Sequence, residues 1–177
     1  MISLEQEKWL AHLNDNDSVS INPADPMVVE KFTKIKNQIQ SVLGKNINVV
    51  HKGATSLGIS GQGELDVYIP VLPKNFDSMV SFVEKIYGKA KSLYPLERAR
   101  FITLVDNTKA EIFVINETGK GWLDSCKFEQ CLKQNHEVLE EYKKLKEGGE
   151  GLSTQKYYRR KIEFINNILE REKSSSN

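Results

Sequence analysis

Two acidic residues separated by one position, Glu64 and Asp66, have the types and spacing best suited to chemistry in this 177-residue sequence. From Glu64 to Val71 polar and apolar residues alternate as in a strand, where residues two apart point to the same side. Two neighbouring carboxylates repel each other unless a cation lies between them. Such a pair suits Mg²⁺, which binds a few carboxylates together with water and substrate phosphates. The alternative for the pair alone is an exposed polar strand face.

A glycine-rich turn, Gly53-Ala54-Thr55-Ser56, precedes the acidic pair and follows a strand predicted over residues 46–51. Glycine lets the backbone approach a phosphate closely, and successive N–H groups form an anion-binding concavity. The turn is therefore predicted to hold phosphates beside the metal pair. A structural turn, whose glycines only satisfy a positive φ, is the alternative.

A third carboxylate, Glu111, lies on a strand predicted over residues 110–115, which forms a hairpin with residues 100–105 through a turn at Asp106-Asn107. If this strand is adjacent to the acidic strand, Glu111 would lie beside Asp66. There it would complete the metal site or act as a general base toward an attacking hydroxyl. The alternative is a hairpin-face residue paired with Arg98 or Arg100.

Helices must cover the sheet that positions these residues. One is predicted to begin at Asp25-Pro26, because Asp caps a helix and Pro suits its first turn. A second is predicted over residues 75–90, and the pattern after Asn116 is helical only. The inward residues of the first helix are Val28, Phe32, Ile35, Ile39 and Val42. We expect an α+β fold with a mixed β-sheet flanked by helices over residues 1–120, and a C-terminal helical subdomain over residues 121–177.

The bulk composition excludes several classes of protein. The sequence is 39% hydrophobic and 28% charged, and it has no apolar run of membrane-spanning length, so no membrane partner is expected. The net charge of +1 restricts any nucleic-acid binding to a local basic surface. The first residues resemble no signal sequence, which predicts a cytoplasmic location.

At the residue level the sequence resembles the GrpB family, which is placed in the nucleotidyltransferase superfamily with DNA polymerase β and the CCA-adding enzymes. The superfamily motif is a Gly-Ser pair, an acidic-x-acidic strand and a third acid on a later strand. It is matched by residues 53–58, residues 63–67 and Glu111, although many relatives carry histidines on the later strand. The C-terminal matches are Phe128, Leu132, Asn135, Glu137, Leu139, Tyr142, Leu145, Lys146, Tyr157, Lys161, Phe164 and Ile165.

The resemblance implies a nucleotidyltransferase-like fold and Mg²⁺-dependent transfer of a nucleotidyl group from a nucleoside triphosphate to an unknown acceptor. The acceptor would be a small molecule, an RNA or a protein. The implied catalytic metal ligands are Glu64, Asp66 and Glu111. The implied nucleotide-binding residues are Gly53, Ala54, Thr55, Ser56 and, on the last helix, Lys161.

Two departures from the family pattern favour an alternative function. Ala54 stands where relatives usually have serine, and Gln62 stands where they often have lysine. A catalytically inactive nucleotide-binding or regulatory domain would tolerate both changes. A third interpretation is a nucleic-acid or protein interaction module that uses basic residues of the last helix, but the near-zero net charge disfavours it. These residues are Lys156, Arg159, Arg160 and Lys161.

Overall fold

The computed structural model describes residues 1–175 and divides into two compact units. The sheet unit comprises Ala24–Ile59 and Gly63–Leu123. The helical unit comprises Met1–Pro23, Ser60–Gln62 and the chain from Asp124 onward. The domain boundary predicted between residues 120 and 121 stays a prediction, and residues 176 and 177 of the predicted subdomain lie outside the described residues.

A five-stranded mixed sheet with the order β1-β2-β5-β4-β3 forms the centre of the sheet unit. Strands β2 and β5 run parallel, and every other neighbouring pair is antiparallel. The strands are β1 (Val50–Lys52), β2 (Leu65–Val71), β3 (Ser92–Tyr94), β4 (Arg98–Val105) and β5 (Thr108–Asn116). The predicted α+β fold with a mixed sheet is thus confirmed.

The helices alternate with these strands and then follow them. Their bounds are α1 (Leu4–Ala11), α2 (Val28–Leu43), α3 (Gly53–Ser56), α4 (Phe76–Tyr87), α5 (Lys120–Gln134), α6 (His136–Glu147) and α7 (Thr154–Ser175). A single 3-10 turn, Pro73–Asn75, precedes α4. Within residues 1–175 no helix is both long and apolar enough to cross a membrane.

One face of the sheet packs against α2 and α4 and forms the core of the sheet unit. The inward residues of the parallel pair are fully buried: Leu65, Val67 and Ile69 on β2, and Ala110, Ile112 and Val114 on β5. Because side chains alternate along a strand, the residues between them point to the opposite face. Asp66 and Glu111 are two of these, and they lie directly across from each other in the parallel register.

Helix α2 buries most of the residues predicted to face inward, with one exception. Val42 is 60% exposed, whereas Leu43 packs against the core. On a helix the fourth residue after Ile39 lies about 40° from it and the third lies about 60° from it. Leu43 is therefore better aligned with the buried face, and the prediction for Val42 was wrong.

Two loop segments differ from the sequence-based expectation. The strand predicted over residues 46–51 is β1, which is shorter and begins only at Val50. The glycine-rich segment was predicted as a turn, and Gly53–Ser56 forms a single turn of helix, α3. The predicted turn at Asp106-Asn107 is present, and both residues have the positive φ values, 45° and 62°, of a tight hairpin turn.

The helical unit has its own packing and caps. Helix α7 packs against α1 and α6, and Tyr157 near its start is fully buried. Asn135 caps α6 as predicted, since its side chain accepts the backbone N–H groups of Glu137 and Val138. Short β-bridges join Ser18 to Ser153 and Asn22 to Gly61, which explains why a three-residue segment from the middle of the chain belongs to this unit.

Candidate active site

Three carboxylates meet on the sheet face opposite the core. Glu64 immediately precedes β2, Asp66 is its second residue, and Glu111 is on β5 opposite Asp66. One oxygen from each lies within 4.8 Å of the other two. Glu64 and Asp66 are partly exposed, whereas Glu111 is only 7% exposed. The structure therefore brings the three sequence-predicted acids into one cluster.

The backbone of Gly53 lies against the carboxylate of Asp66. Its φ is +80°, and a Cβ added there would overlap Asp66 Oδ2 and lie 3.2 Å from Cγ. The pairing of β1 with β2 causes this approach, because Lys52 is directly opposite Asp66 and the chain turns at the next residue. A side chain at position 53 would push the Asp66 carboxylate aside.

Hydroxyl groups of the turn hold it in place. Thr55 Oγ1 donates to the carbonyl oxygen of Glu64 at 3.4 Å and lies 2.9 Å from Nε2 of His51. Ser56 Oγ donates to the carbonyl oxygen of Gly53 at 2.9 Å. Thr55 thus connects the turn to the residue that begins the acidic motif. The predicted phosphate contacts of Gly53, Ala54, Thr55 and Ser56 stay predictions.

Lys109 is a member of the cluster that the sequence-based prediction missed. Its Nζ lies 2.6 Å from Glu64 Oε1 and 2.7 Å from Glu111 Oε1. Burial lowers the pKa of Lys109, but the hydrogen bonds to Glu111 and Glu64 outweigh burial, so the pKa is raised and the side chain carries a full charge at neutral pH. Its position two residues before Glu111 on the same strand face was a signal that could have revealed it.

Arg100 makes the second cationic contact to Glu111. Its Nη1 lies 3.3 Å from Glu111 Oε1 and 3.5 Å from Oε2. Its Nε is buried and has no hydrogen-bond partner among the described residues. Arg98, the other candidate partner, lies over the rings of Tyr94 and Phe113. Glu111 therefore pairs with a hairpin arginine and also lies beside Asp66, and its role as a metal ligand or general base stays a prediction.

An aromatic cluster adjoins the carboxylates along β2 and β5. Tyr68 and Phe113 are the next residues on the same face, and their rings stack with centroids 4.7 Å apart. Trp122 lies 5.5 Å from Tyr68, and the buried Lys52 lies over the Trp122 ring at 4.9 Å. Trp122 therefore packs against Tyr68 and Lys52. The apolar wall lowers the local dielectric constant and strengthens electrostatic interactions beside it.

Lys161, the predicted phosphate contact on the last helix, belongs to the helical unit. Its Nζ lies 5.3 Å from the centroid of the Tyr158 ring, and its role in nucleotide binding stays a prediction. Arg159 forms a two-point ion pair with Glu7 at 2.6 and 2.7 Å. This charge is compensated within the chain, as expected for a helix-surface arginine.

The donor set of the cluster fits Mg²⁺. Carboxylate oxygens are the protein ligands that this ion prefers. The three acids supply them within one small volume, and an ammonium group already contacts two of them. Glu64, Asp66 and Glu111 are therefore the residues that could hold a divalent cation, and Mg²⁺ as that ion stays a prediction.

Comparison with known proteins agrees with this architecture. The model of the GrpB protein family matches residues 18–171. The solved structure of the conserved protein GrpB from Enterococcus faecalis is similar with a TM-score of 0.65 and 18% identity, over 86% of this chain and 98% of that chain. The ternary gap complex of Leishmania infantum polymerase beta matches 74% of this chain and 54% of its own, with a TM-score of 0.38 and 13% identity, too weakly to bear on fold or chemistry. A search of curated proteins gives no significant match.

Proposed function

Because the chain belongs to the GrpB protein family, we propose that it is a Mg²⁺-dependent nucleotidyltransferase. It would transfer a nucleotidyl group from a nucleoside triphosphate to a hydroxyl of a small molecule, an RNA or a protein. The acceptor hydroxyl loses its proton to solvent and its oxygen forms a bond to the α-phosphorus, while the bond from that phosphorus to the departing pyrophosphate breaks. The observation that carries the proposal is the cluster of Glu64, Asp66 and Glu111 beside the Gly53 turn.

Each carboxylate has a distinct setting that suits this role. Asp66 is seated by the backbone of Gly53, and Glu64 is fixed at its carbonyl group by Thr55. Glu111 is largely buried and supports the cluster from the neighbouring strand. Bound Mg²⁺ would supply positive charge that offsets the charge developing on the transferred phosphoryl group. Rigid strands are well suited to hold such ligands because their geometry is set by the sheet.

The turn at Gly53 would bind the triphosphate mainly through its backbone. The first N–H groups of a helical turn have no acceptor within the turn, and glycine permits close approach. The hydroxyl of Thr55 already donates to the carbonyl oxygen of Glu64, and that of Ser56 to the carbonyl oxygen of Gly53. They would contact phosphate only by exchanging these hydrogen bonds, so their first role is to shape the turn. Ala54 contributes its backbone and no hydroxyl.

The decisive experiment measures pyrophosphate release from the four nucleoside triphosphates with Mg²⁺ and a panel of acceptors. We expect Asp66→Asn to abolish release, because an amide has no charge for the metal. The matched control is Asp106→Asn, which removes an exposed acid at the hairpin tip whose partner is Lys34. That variant should retain release. Equal turnover by Asp66→Asn and the unmodified protein would contradict the assignment.

A second candidate function is a nucleotide-binding or regulatory domain without catalysis. Two observations favour it: the absence of a hydroxyl at Ala54 and the occupation of two carboxylates by Lys109. Calorimetric titration with nucleoside triphosphates, with and without Mg²⁺, separates the two functions. Metal-dependent binding followed by pyrophosphate release indicates an enzyme, whereas binding without release for any acceptor indicates a sensor.

A further inference from the structure

A lysine ammonium bridges two of the three carboxylates of the proposed metal site. Lys109 Nζ is 2.6 Å from Glu64 Oε1 and 2.7 Å from Glu111 Oε1. Lys109 and Glu111 are two residues apart on β5 and therefore project from the same face. The adjacent register pair is Leu65 with Ala110, which brings Glu64 across from Lys109. The contact is thus fixed by the sheet register and by the length of the lysine stem.

Positive charges already neighbour the cluster. Lys109 contacts Glu64 and Glu111, and Arg100 contacts Glu111. A Mg²⁺ ion binds carboxylate oxygens at about 2.0–2.1 Å. It would bind carboxylates that already accept hydrogen bonds from Lys109, and two cations so close together would repel each other. The metal and the Lys109 ammonium therefore compete.

We propose that Lys109 is a built-in counter-ion of the carboxylate cluster, which a divalent cation must displace before it binds. As a consequence the metal alone binds weakly, while the metal together with a polyphosphate binds tightly. The polyphosphate supplies the negative charge that receives the released ammonium. This inference rests on the proposed metal site and adds the order of assembly, in which metal and triphosphate enter together.

The side chain of Lys109 is built for such a movement. It is 41% exposed, so the ammonium has space to leave the carboxylates. A lysine stem is flexible and its ammonium has no fixed binding geometry, in contrast to the planar guanidinium of arginine. Arg100 contacts Glu111 at longer distances, 3.3 and 3.5 Å, and would remain as the fixed cation behind Glu111.

The test measures binding of Mn²⁺ alone by calorimetry to the unmodified protein and to Lys109→Met, which keeps an unbranched side chain one atom shorter and removes its charge. We expect Lys109→Met to bind Mn²⁺ about tenfold more tightly, equivalent to about 1.4 kcal/mol. The complex of Mn²⁺ with inorganic tripolyphosphate should show the opposite order, because the variant has no ammonium for the phosphates. Lys34→Met removes an exposed lysine paired with Asp106 and should behave like the unmodified protein in both titrations.

Further variants show where Mn²⁺ binds and keep the test informative if Lys109→Met folds poorly. Adding Asp66→Asn to Lys109→Met should abolish the gain in Mn²⁺ affinity, which places the ion at the cluster; a gain that survives overturns the inference. Lys109→Arg keeps the charge and should bind Mn²⁺ no more tightly than the unmodified protein. If Lys109→Met is unstable, its melting temperature should rise more with Mn²⁺ than that of the unmodified protein, since the ion replaces the lost charge.

The results separate this inference from the proposed function. Equal Mn²⁺ affinity and equal Mn²⁺-induced melting shifts in Lys109→Met and the unmodified protein would overturn the inference, even if Asp66-dependent nucleotidyl transfer were found. Tighter Mn²⁺ binding by Lys109→Met would uphold the inference. If the unmodified protein at the same time releases no pyrophosphate from any triphosphate, the transferase assignment is removed.

Discussion

Substituting alanine for Gly53 tests whether the turn and the carboxylates form one structural unit. Gly53 has a φ of +80°, and an added Cβ would overlap Asp66 Oδ2 and lie 3.2 Å from Cγ. The added Cβ would also lie 3.4 Å from the Cβ of Asp66. Asp66 belongs to β2, which is paired on both sides in the sheet. Either the turn must move away from β2 or the Asp66 carboxylate must rotate out of the cluster. Both movements separate the proposed phosphate and metal sites.

The expected cost has two parts. An alanine forced into the left-handed region costs about 1–2 kcal/mol, partly offset by the reduced freedom of the unfolded chain, worth about 0.4–1 kcal/mol. Overpacking against Asp66 adds about 1–3 kcal/mol. For a protein of this size each kcal/mol lowers the melting temperature by about 2–4 °C. We therefore expect Gly53→Ala to melt several degrees below the unmodified protein.

Gly58→Ala is the matched control. Gly58 lies in the same loop and has a φ of +66°, but an added Cβ would meet nothing within 4 Å. It therefore carries the conformational cost without the clash. Thermal denaturation compares the stabilities, and calorimetric titration with Mn²⁺ reports on the carboxylates. Gly53→Ala should melt lower than Gly58→Ala and lose metal binding, whereas Gly58→Ala should keep it. If both variants bind Mn²⁺ equally, Gly53 does not seat Asp66 and the reasoning is wrong.

Two further predictions concern the helical unit. In a thermal melt, Gly149→Ala should lower the melting temperature strongly, because the added Cβ would collide with the ring of Tyr157. The control Gly121→Ala should leave the melting temperature unchanged or slightly raised, because its added Cβ would meet nothing within 4 Å. The hydrogen bond from Arg159 lowers the pKa of Glu7, so the pair contributes stability at neutral pH that is lost as the pH falls below about 4.3. Arg159→Gln should reduce the dependence of stability on pH in that acid range, and equal acid denaturation curves would contradict it.

The parts of the fold that follow from periodicity were predicted from the sequence. Alternation on β2 identified both the buried residues and the polar face, and the Asp106-Asn107 turn identified the hairpin. Glu111 lies beside Asp66, one of the two positions left open from the sequence, because the strands that carry them are neighbours in the sheet. Local sequence patterns predict which residues of a strand are buried when the strand has a single buried face.

Features that depend on tertiary pairing were not predicted. Strand β3 is three residues long and exists because β4 has a free edge to pair with, which no local pattern in Ser92–Tyr94 reveals. The helical turn Gly53–Ser56 forms in a segment of low helix propensity, where the hydroxyls of Thr55 and Ser56 add hydrogen bonds. Lys109 was overlooked because its role depends on the register between two strands that are distant in sequence.

The parallel register of β2 and β5 is what connects the fold to the proposed chemistry. A slip of one residue would bury Asp66 or Glu111 among the apolar residues that α2 and α4 cover, where an isolated carboxylate is strongly destabilised. The hydrophobic core therefore selects the register that gathers the acids on the opposite face. The same register brings Lys109 between Glu64 and Glu111. The strand pairing that brings the two carboxylates together therefore also supplies the cation that offsets their repulsion. Lys109 thus stabilises the metal-free chain and weakens its binding of the metal. Removing the charge of Lys109 should lower the stability of the metal-free chain and raise its affinity for the metal.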